Sequence, residues 1–227
     1  MNAISLTPDQ FACSTDTELR MLRRFIQSVE IGIHRIKEDE AAMLKDKRDN
    51  TDGGFMEIIG DEIDHIIAHN EDFPRMVKYS QVIAIFSFLE TRLGLLCEEV
   101  HSRRPELNKH TKRQPSKNTV EESQEFLSIP SLNCEISQWP AIETLVLVRN
   151  CVAHGNGWIE RIRKPEKLRN MLSSVHGLDE DKGRIVVSEV YIERAYRSIY
   201  TLFEEAFHNL SFGPGLMPIE YPPKAAN

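Results

Sequence analysis

The sequence contains no C-x-x-C pair. Its four cysteines, Cys13, Cys97, Cys134 and Cys151, are scattered along 227 residues. That spacing indicates neither a disulfide framework nor a thiolate zinc site, and free thiols are expected, with Cys97 and Cys151 in the core. The chain also lacks any run of 18 apolar residues, and its first eight, Met1 to Pro8, lack the basic-then-apolar layout of a secretory signal. A cytoplasmic protein with no membrane partner is therefore expected. No Gly-rich phosphate loop and no G-x-S-x-G elbow is present, which removes the common nucleotide hydrolase and esterase chemistries. There is no internal repeat. Basic charge is in deficit, 28 Lys and Arg against 35 Asp and Glu for a net −7, which argues against a chain coated all over in nucleic acid.

What is present is an ordinary soluble composition, 41% hydrophobic and 28% charged, long enough for a well-buried core. Helical spacing dominates. Thr15-x-x-Glu18 reads as a capping box opening a helix from 17 to about 47, with Leu19, Leu22, Ile26, Val29, Ile33 and Ile36 inward. A second helix is expected over about 56–70, ended by Phe73-Pro74, and a third over about 75–101 that places Glu90 among Phe86, Phe88, Leu89 and Leu93. A short helix near 119–128, an amphipathic basic one from Trp158 to Asn170 and a last one over about 189–210, capped by Ser188, complete the set. Between the last two, the turn-rich 176–183 separates the apolar pieces Met171–Val175 and Arg184–Val187, and a small hairpin is expected there. The predicted fold is all-α, with one domain over 17–211, an N-terminal extension over 1–16 and a Pro- and Gly-rich tail over 212–227.

Charge is unevenly spread. Residues 1–100 carry 11 basic and 19 acidic side chains, whereas 101–170 carry 12 and 8. The densest basic run holds Arg103, Arg104, Lys109, Lys112, Arg113 and Lys117 against the single Glu106. It reads either as a solvated loop or as an arm that tracks RNA phosphates. His65 and His69, four apart beside Asp61, Glu62 and Asp64, have a spacing that can seat a transition metal. They lack the Glu of H-E-x-x-H, and surface histidines on an acidic helix face are the plainer reading, so no metal and no cofactor is expected.

The chemically distinctive segment is Pro140 to Gly155. It is apolar almost throughout, with Ile142, Leu145, Val148 and Val152 on one face and Val146, Leu147, Cys151 and Ala153 filling most of the rest, and a helix apolar nearly all round is a buried one. Yet it carries Glu143, Arg149, Asn150 and His154. At about 100° per residue Glu143, Asn150 and His154 share a stripe with Leu147, while Arg149 lies about 140° from His154. Polar groups placed where solvent is scarce must pair with one another, with a second chain or with a ligand. A hydrogen-bond network that only fixes packing meets that demand as well as a reactive site does. Gly155 and Gly157 are expected to end the helix.

The run Arg149-Asn150-Cys151-Val152-Ala153-His154-Gly155 resembles the Rx4–6H motif of HEPN domains, an all-α superfamily that includes many metal-independent ribonucleases. The stretch from Tyr79 to Glu90 is similar to the second core helix of several such families, Glu90 standing where they carry an acidic residue. The resemblance covers roughly residues 18–210 and is sharp only in the motif helix. It implies a HEPN-like helical bundle with the basic loop as an insertion. It further implies an endoribonuclease that cleaves RNA through attack of the 2′-hydroxyl, leaving a 2′,3′-cyclic phosphate and a 5′-hydroxyl. Arg149, Asn150 and His154 would be the catalytic residues, with Glu90 and Glu143 as supporting groups. Such proteins pair two motif helices across a two-fold axis, so a homodimer is expected, with burial of the Leu147 stripe. A toxin or antiviral effector, held by an antitoxin or sensor protein, is the implied role. The alternatives are a non-catalytic HEPN-like module that dimerises or binds a nucleotide, and an all-α scaffold in which the spacing is accidental.

Overall fold

The computed structural model describes residues 7–50, 72–110, 118–212 and Leu216. The fold is all-α with one small hairpin. In chain order come α1 (Pro8–Asn50), α2 (Phe73–Arg103), α3 (Thr119–Leu127), α4 (Trp139–Gly155), α5 (Pro165–Leu172), the antiparallel strands β1 (Leu178–Asp181) and β2 (Arg184–Val187), and α6 (Glu189–Leu210). The helix expected over 56–70, and with it His65 and His69, lies outside the described residues, as do Lys112, Arg113, Lys117 and the side chain of Lys109.

Local chemistry explains where these elements begin. Helix α1 starts two turns before the expected Thr15. Thr7 Oγ1 accepts the Gln10 N–H at 3.2 Å and Gln10 Oε1 accepts the Thr7 N–H at 2.8 Å, a reciprocal cap followed by Pro8 at the first helical position. Thr15 instead sits inside the helix, its hydroxyl donating to the Phe11 carbonyl at 2.9 Å. Pro8 to Asp16, expected to be an extension, are thus helical, and bury Phe11 and Ala12. Asn118 and Glu121 cap α3 in the same reciprocal way. The helix expected from Trp158 to Asn170 is broken in two. Pro165 excludes the preceding residue from helical geometry, Lys164 adopts φ −134° and ψ 63°, and the segment becomes a 3-10 turn, Ile159–Arg161, followed by the separate α5. Met171 and Leu172 end α5, so the first strand lies later than expected, at Leu178–Asp181. Lys182 (φ 48°) and Gly183 (φ 82°) join the strands; positive φ at both positions is the signature of a two-residue type I′ hairpin turn.

The chain divides into two compact units. One comprises 1–21, 89–139 and 198–227. Its core holds Leu93, Leu96, Val120, Leu127 and Phe203, with Phe11 packed edge-on against Phe207 at 6.0 Å. Arg92, buried, gives Nε–H to Glu18 at 2.8 Å and Nη2–H to Ser14 at 2.9 Å while lying over the Phe11 ring. Burial removes competing water, so breaking this pair would leave a stranded charge.

The other unit comprises 22–88 and 140–197, with Ile26, Ile33, Val82, Ile85, Ile142, Val148, Ile185, Ile192 and Tyr196 inside. Here the Lys78 ammonium meets the Glu30 carboxylate and lies 3.6 Å from Glu189, while Gln81 Nε2 donates to Glu30 at 2.9 Å and to the Ile26 carbonyl at 3.3 Å. Burial alone pushes the Glu30 carboxyl up, but hydrogen bonds from Glu189, Lys78 and Gln81 outweigh it and leave Glu30 below the ordinary carboxylate range. Glu189 moves the other way, raised by its hydrogen bond to Glu30 and then by burial. Among the described residues, α2 is the one helix long and apolar enough by length and composition to cross a membrane. Within the protein it is a core helix, supplying Val82, Ile85 and Phe86 to one unit and Leu89, Leu93, Leu96 and Val100 to the other.

Candidate functional site

Helix α4 buries Ile142, Leu145, Leu147, Val148, Cys151 and Val152 but not its whole circumference. Glu143, Ala153 and His154 are exposed, and Arg149 and Asn150 half-exposed. The sequence suggested polar groups in a dry interior; they occupy instead the arc that faces solvent. The arc holding Glu143, Asn150 and His154 also takes Ala153, which is exposed, and Val146, which is half-buried, two small side chains that cost little to leave partly uncovered. Leu147 at the edge of that arc is already buried within the chain, so it is not a free surface for a second copy.

The structure brings Arg149, Asn150 and His154 together. Arg149 Nη1 lies 3.0 Å from Asn150 Oδ1 and 3.2 Å from His154 Nε2. A wheel separates Arg149 from His154, but the long guanidinium stem reaches round the helix. Its underside rests on the buried Phe86 ring from α2, 4.7 Å from the ring centroid, a contact that holds a cation without neutralising it. Because a guanidinium only donates, the bond to His154 requires an unprotonated Nε2, with the ring proton on Nδ1. The site therefore presents a fixed cation next to an imidazole lone pair at a solvent-facing helix end.

The helix ends at Gly155, and the left-handed residue is Asn156 (φ 50°), with Gly157 (φ 80°) after it. Gly157 N–H returns to the Cys151 carbonyl at 3.0 Å. A side chain at 157 is excluded, since a Cβ there would stand 2.1 Å from Tyr79 Oη. Tyr79 is fixed in turn by donating to the Ile185 carbonyl at 2.7 Å, and burial pushes its phenol up to about 12. The chain after the motif thus threads between α2 and the hairpin and is pinned to β2, Ile185 N–H donating to the Gly157 carbonyl at 2.9 Å.

Other expected residues are placed differently. Glu143 pairs with Lys167 rather than Arg149. Glu90 is half-buried on α2 and belongs to the other unit. Cys151, between Asn150 and His154 in sequence, points into the core, and burial pushes its thiol up to about 12, so it stays protonated at neutral pH and is no nucleophile. Cys97 is half-buried, and Cys134 is the second cysteine in the core. In the basic run, Arg103 is engaged by Glu99 at 2.6 Å and stacks on Phe212, and Arg104, exposed, donates to the Ser131 carbonyl at 3.2 Å. Among the described residues no group of three or more His, Cys, Asp or Glu could hold a metal ion. Sequence reasoning missed Phe86 and Tyr79, whose only signal was an aromatic on the apolar face of α2. Compared with known proteins, the chain matches no family model, no curated protein and no solved structure.

Proposed function

We propose that the protein is a metal-independent endoribonuclease of the HEPN kind, with Arg149, Asn150 and His154 as its catalytic residues. One observation carries the reading: a guanidinium within hydrogen-bond distance of both Asn150 Oδ1 and His154 Nε2, at a helix end open to solvent. In the reaction the RNA 2′-hydroxyl gives its proton to His154 Nε2 and attacks the adjacent phosphorus. The O2′–P bond forms, the P–O5′ bond breaks, and a 2′,3′-cyclic phosphate remains. Arg149, always cationic, stabilises charge building on the phosphate oxygens. An incoming phosphate competes for the guanidinium donors, which frees Nε2 to act as base. Asn150 Oδ1, already bound to Arg149, keeps the guanidinium fork in place while that exchange occurs.

The 5′-oxygen leaves with a proton, and one chain supplies one imidazole at this site. A second copy donating its own motif would provide the acid, hence a homodimer, built from exposed residues since Leu147 is spent within the chain. A toxin or antiviral effector restrained by an antitoxin or sensor belongs to the same reading. The second reading is a non-catalytic HEPN-like module, favoured by the fact that Arg149, Asn150, His154 and Phe86 already satisfy one another. Incubating purified protein with mixed RNA in excess EDTA separates the two. Products ending in 2′,3′-cyclic phosphate, lost in His154→Ala, support the enzyme. RNA left intact by the native dimer removes it.

A further inference from the structure

Just beyond the motif helix a cleft of about 230 Å³ is walled by Arg75, Trp158, Asp181, Lys182 and Arg184. Ligand pockets for whole cofactors or drug-sized molecules run to about 300–1,000 Å³, so this one suits a phosphate with its sugar rather than a dinucleotide. Its charge suits an anion. Three cations line it against one carboxylate, Asp181, and the nearby Asp72 pairs with Arg75 at 3.0 Å and lies 3.7 Å from Arg184. Lys182 stands exposed at the hairpin turn, held there by Gly183 and the type I′ geometry. Arg184 lies over the Trp158 ring at 4.5 Å, and Arg161 lies 5.6 Å from the same ring. The indole is thus a platform that fixes the arginines, rather than a free surface for a base.

Arg184 is anchored in the wall of the cleft: its Nε is shut off from solvent, while the side chain as a whole stays about 30% exposed and lines the cleft. The backbone around it is rigid: Trp158 and Arg184 form a bridge, and Ile159 N–H donates to the Gly183 carbonyl at 3.0 Å. Trp158 follows His154 by four residues, so the cleft wall and the imidazole sit on backbone no more than about 14 Å apart even at full extension.

We infer that this cleft binds a phosphodiester of the RNA strand flanking the scissile bond, through Arg75, Lys182 and Arg184, an inference that rests on the ribonuclease reading above.

The test uses the full chain and an end-labelled RNA hexanucleotide, 2′-O-methylated throughout so that it cannot be cut, with binding read by fluorescence anisotropy across salt concentrations. Arg75→Gln/Lys182→Gln should bind at least ten-fold more weakly, and its slope of log K against log salt should be shallower by about 0.7, one single-strand phosphate contact. Lys182→Gln alone, at an exposed turn, should lose about half that slope and guards against misfolding of the double variant. Unchanged affinity and slope overturn the inference. Uridine monophosphate binding as tightly as the hexanucleotide overturns it too, since the cleft would then take a free nucleotide rather than a strand. Unmethylated RNA runs in parallel. If the wild type leaves it uncut while the hexanucleotide still binds through the cleft, the ribonuclease reading falls and the cleft stands; if it is cut while the double variant binds normally, the cleft falls and the ribonuclease reading stands.

Discussion

Gly157→Ala should be among the most damaging single-methyl additions in this protein. The position has φ 80°, where an L-residue is strained by about 1–2 kcal/mol. The new Cβ would meet Tyr79 Oη at 2.1 Å and two ring carbons at 2.7 Å, and a buried ring cannot swing aside freely. If Tyr79 moves, its bond to the Ile185 carbonyl breaks, and an orphaned buried acceptor costs about 1–3 kcal/mol. If the loop moves instead, the bonds from Gly157 N–H to Cys151 and from Ile185 N–H to Gly157 go. Either route brings the loss to about 2–5 kcal/mol, a large part of the roughly 5–15 kcal/mol that holds a domain together. Urea unfolding followed by circular dichroism measures it. Gly32→Ala is the control: nothing stands within 4 Å of its Cβ, and a mid-helix glycine replaced by alanine should gain up to about 1 kcal/mol. A Gly157→Ala variant within 1 kcal/mol of wild type would refute the threading of this segment against Tyr79.

His154→Ala should abolish RNA cleavage, by about 10²–10⁴-fold for a lost general base, while shifting stability by less than about 0.5 kcal/mol because the ring is exposed; gels and melting curves on one preparation decide it, and an unfolded variant would instead favour the structural network. Arg149→Lys should lose most of the activity despite keeping the charge, since a compact ammonium on a shorter side chain gives up the flat contact with the Phe86 ring that aims Nη1 at Asn150 and His154; near-normal rates would mean that only charge matters there. Lys78→Met should lower stability at pH 7 by about 2–4 kcal/mol by stranding the Glu30 carboxylate. Glu30 lies below its ordinary value of 4.5 in the folded state, so its favourable contribution is full above that pH and fades as pH falls below it. The deficit of Lys78→Met should therefore be smaller at pH 4 than at pH 7, and equal melting-point losses at both would contradict the assignment. Light scattering should give about twice the chain mass of 26.1 kDa, and a monomer at micromolar concentration would leave the reaction without its acid.

The elements easiest to read in advance were those whose signals are local. The 3.6-residue repeat found α2, α3, α4 and α6 to within two or three residues, because each repeat ends at a cap or a proline. The errors came where two local signals competed. Thr15-x-x-Glu18 and Thr7-Pro8-Asp9-Gln10 both have capping-box form, and the tie is broken by Phe11 and Ala12, which gain burial only if the helix starts early. At Pro165 the residues on both sides share one amphipathic pattern that favours an unbroken helix, yet a missing N–H and a steric clash outrank pattern. At the site, the residues were legible and their exposure was not. Whether Arg149 and His154 face solvent depends on which arc of α4 other elements cover, and no periodicity within α4 carries that information. The charged cleft was hidden for the same reason: Arg75 and Arg184 are 109 positions apart in the sequence and meet only through the hairpin's return to Trp158.

The pairing of Trp158 with two guanidinium groups has an optical consequence. The chain holds two tryptophans, Trp139 at the start of α4 and Trp158 at the cleft. Indole emission responds to the electric field across the ring, and the cations nearest Trp158 are the ones that an arriving anion would pull on. In a Trp139→Phe background the protein's tryptophan emission would come from a single indole seated on the cleft wall, so occupancy could be followed continuously in unlabelled protein and timed against any appearance of cut RNA.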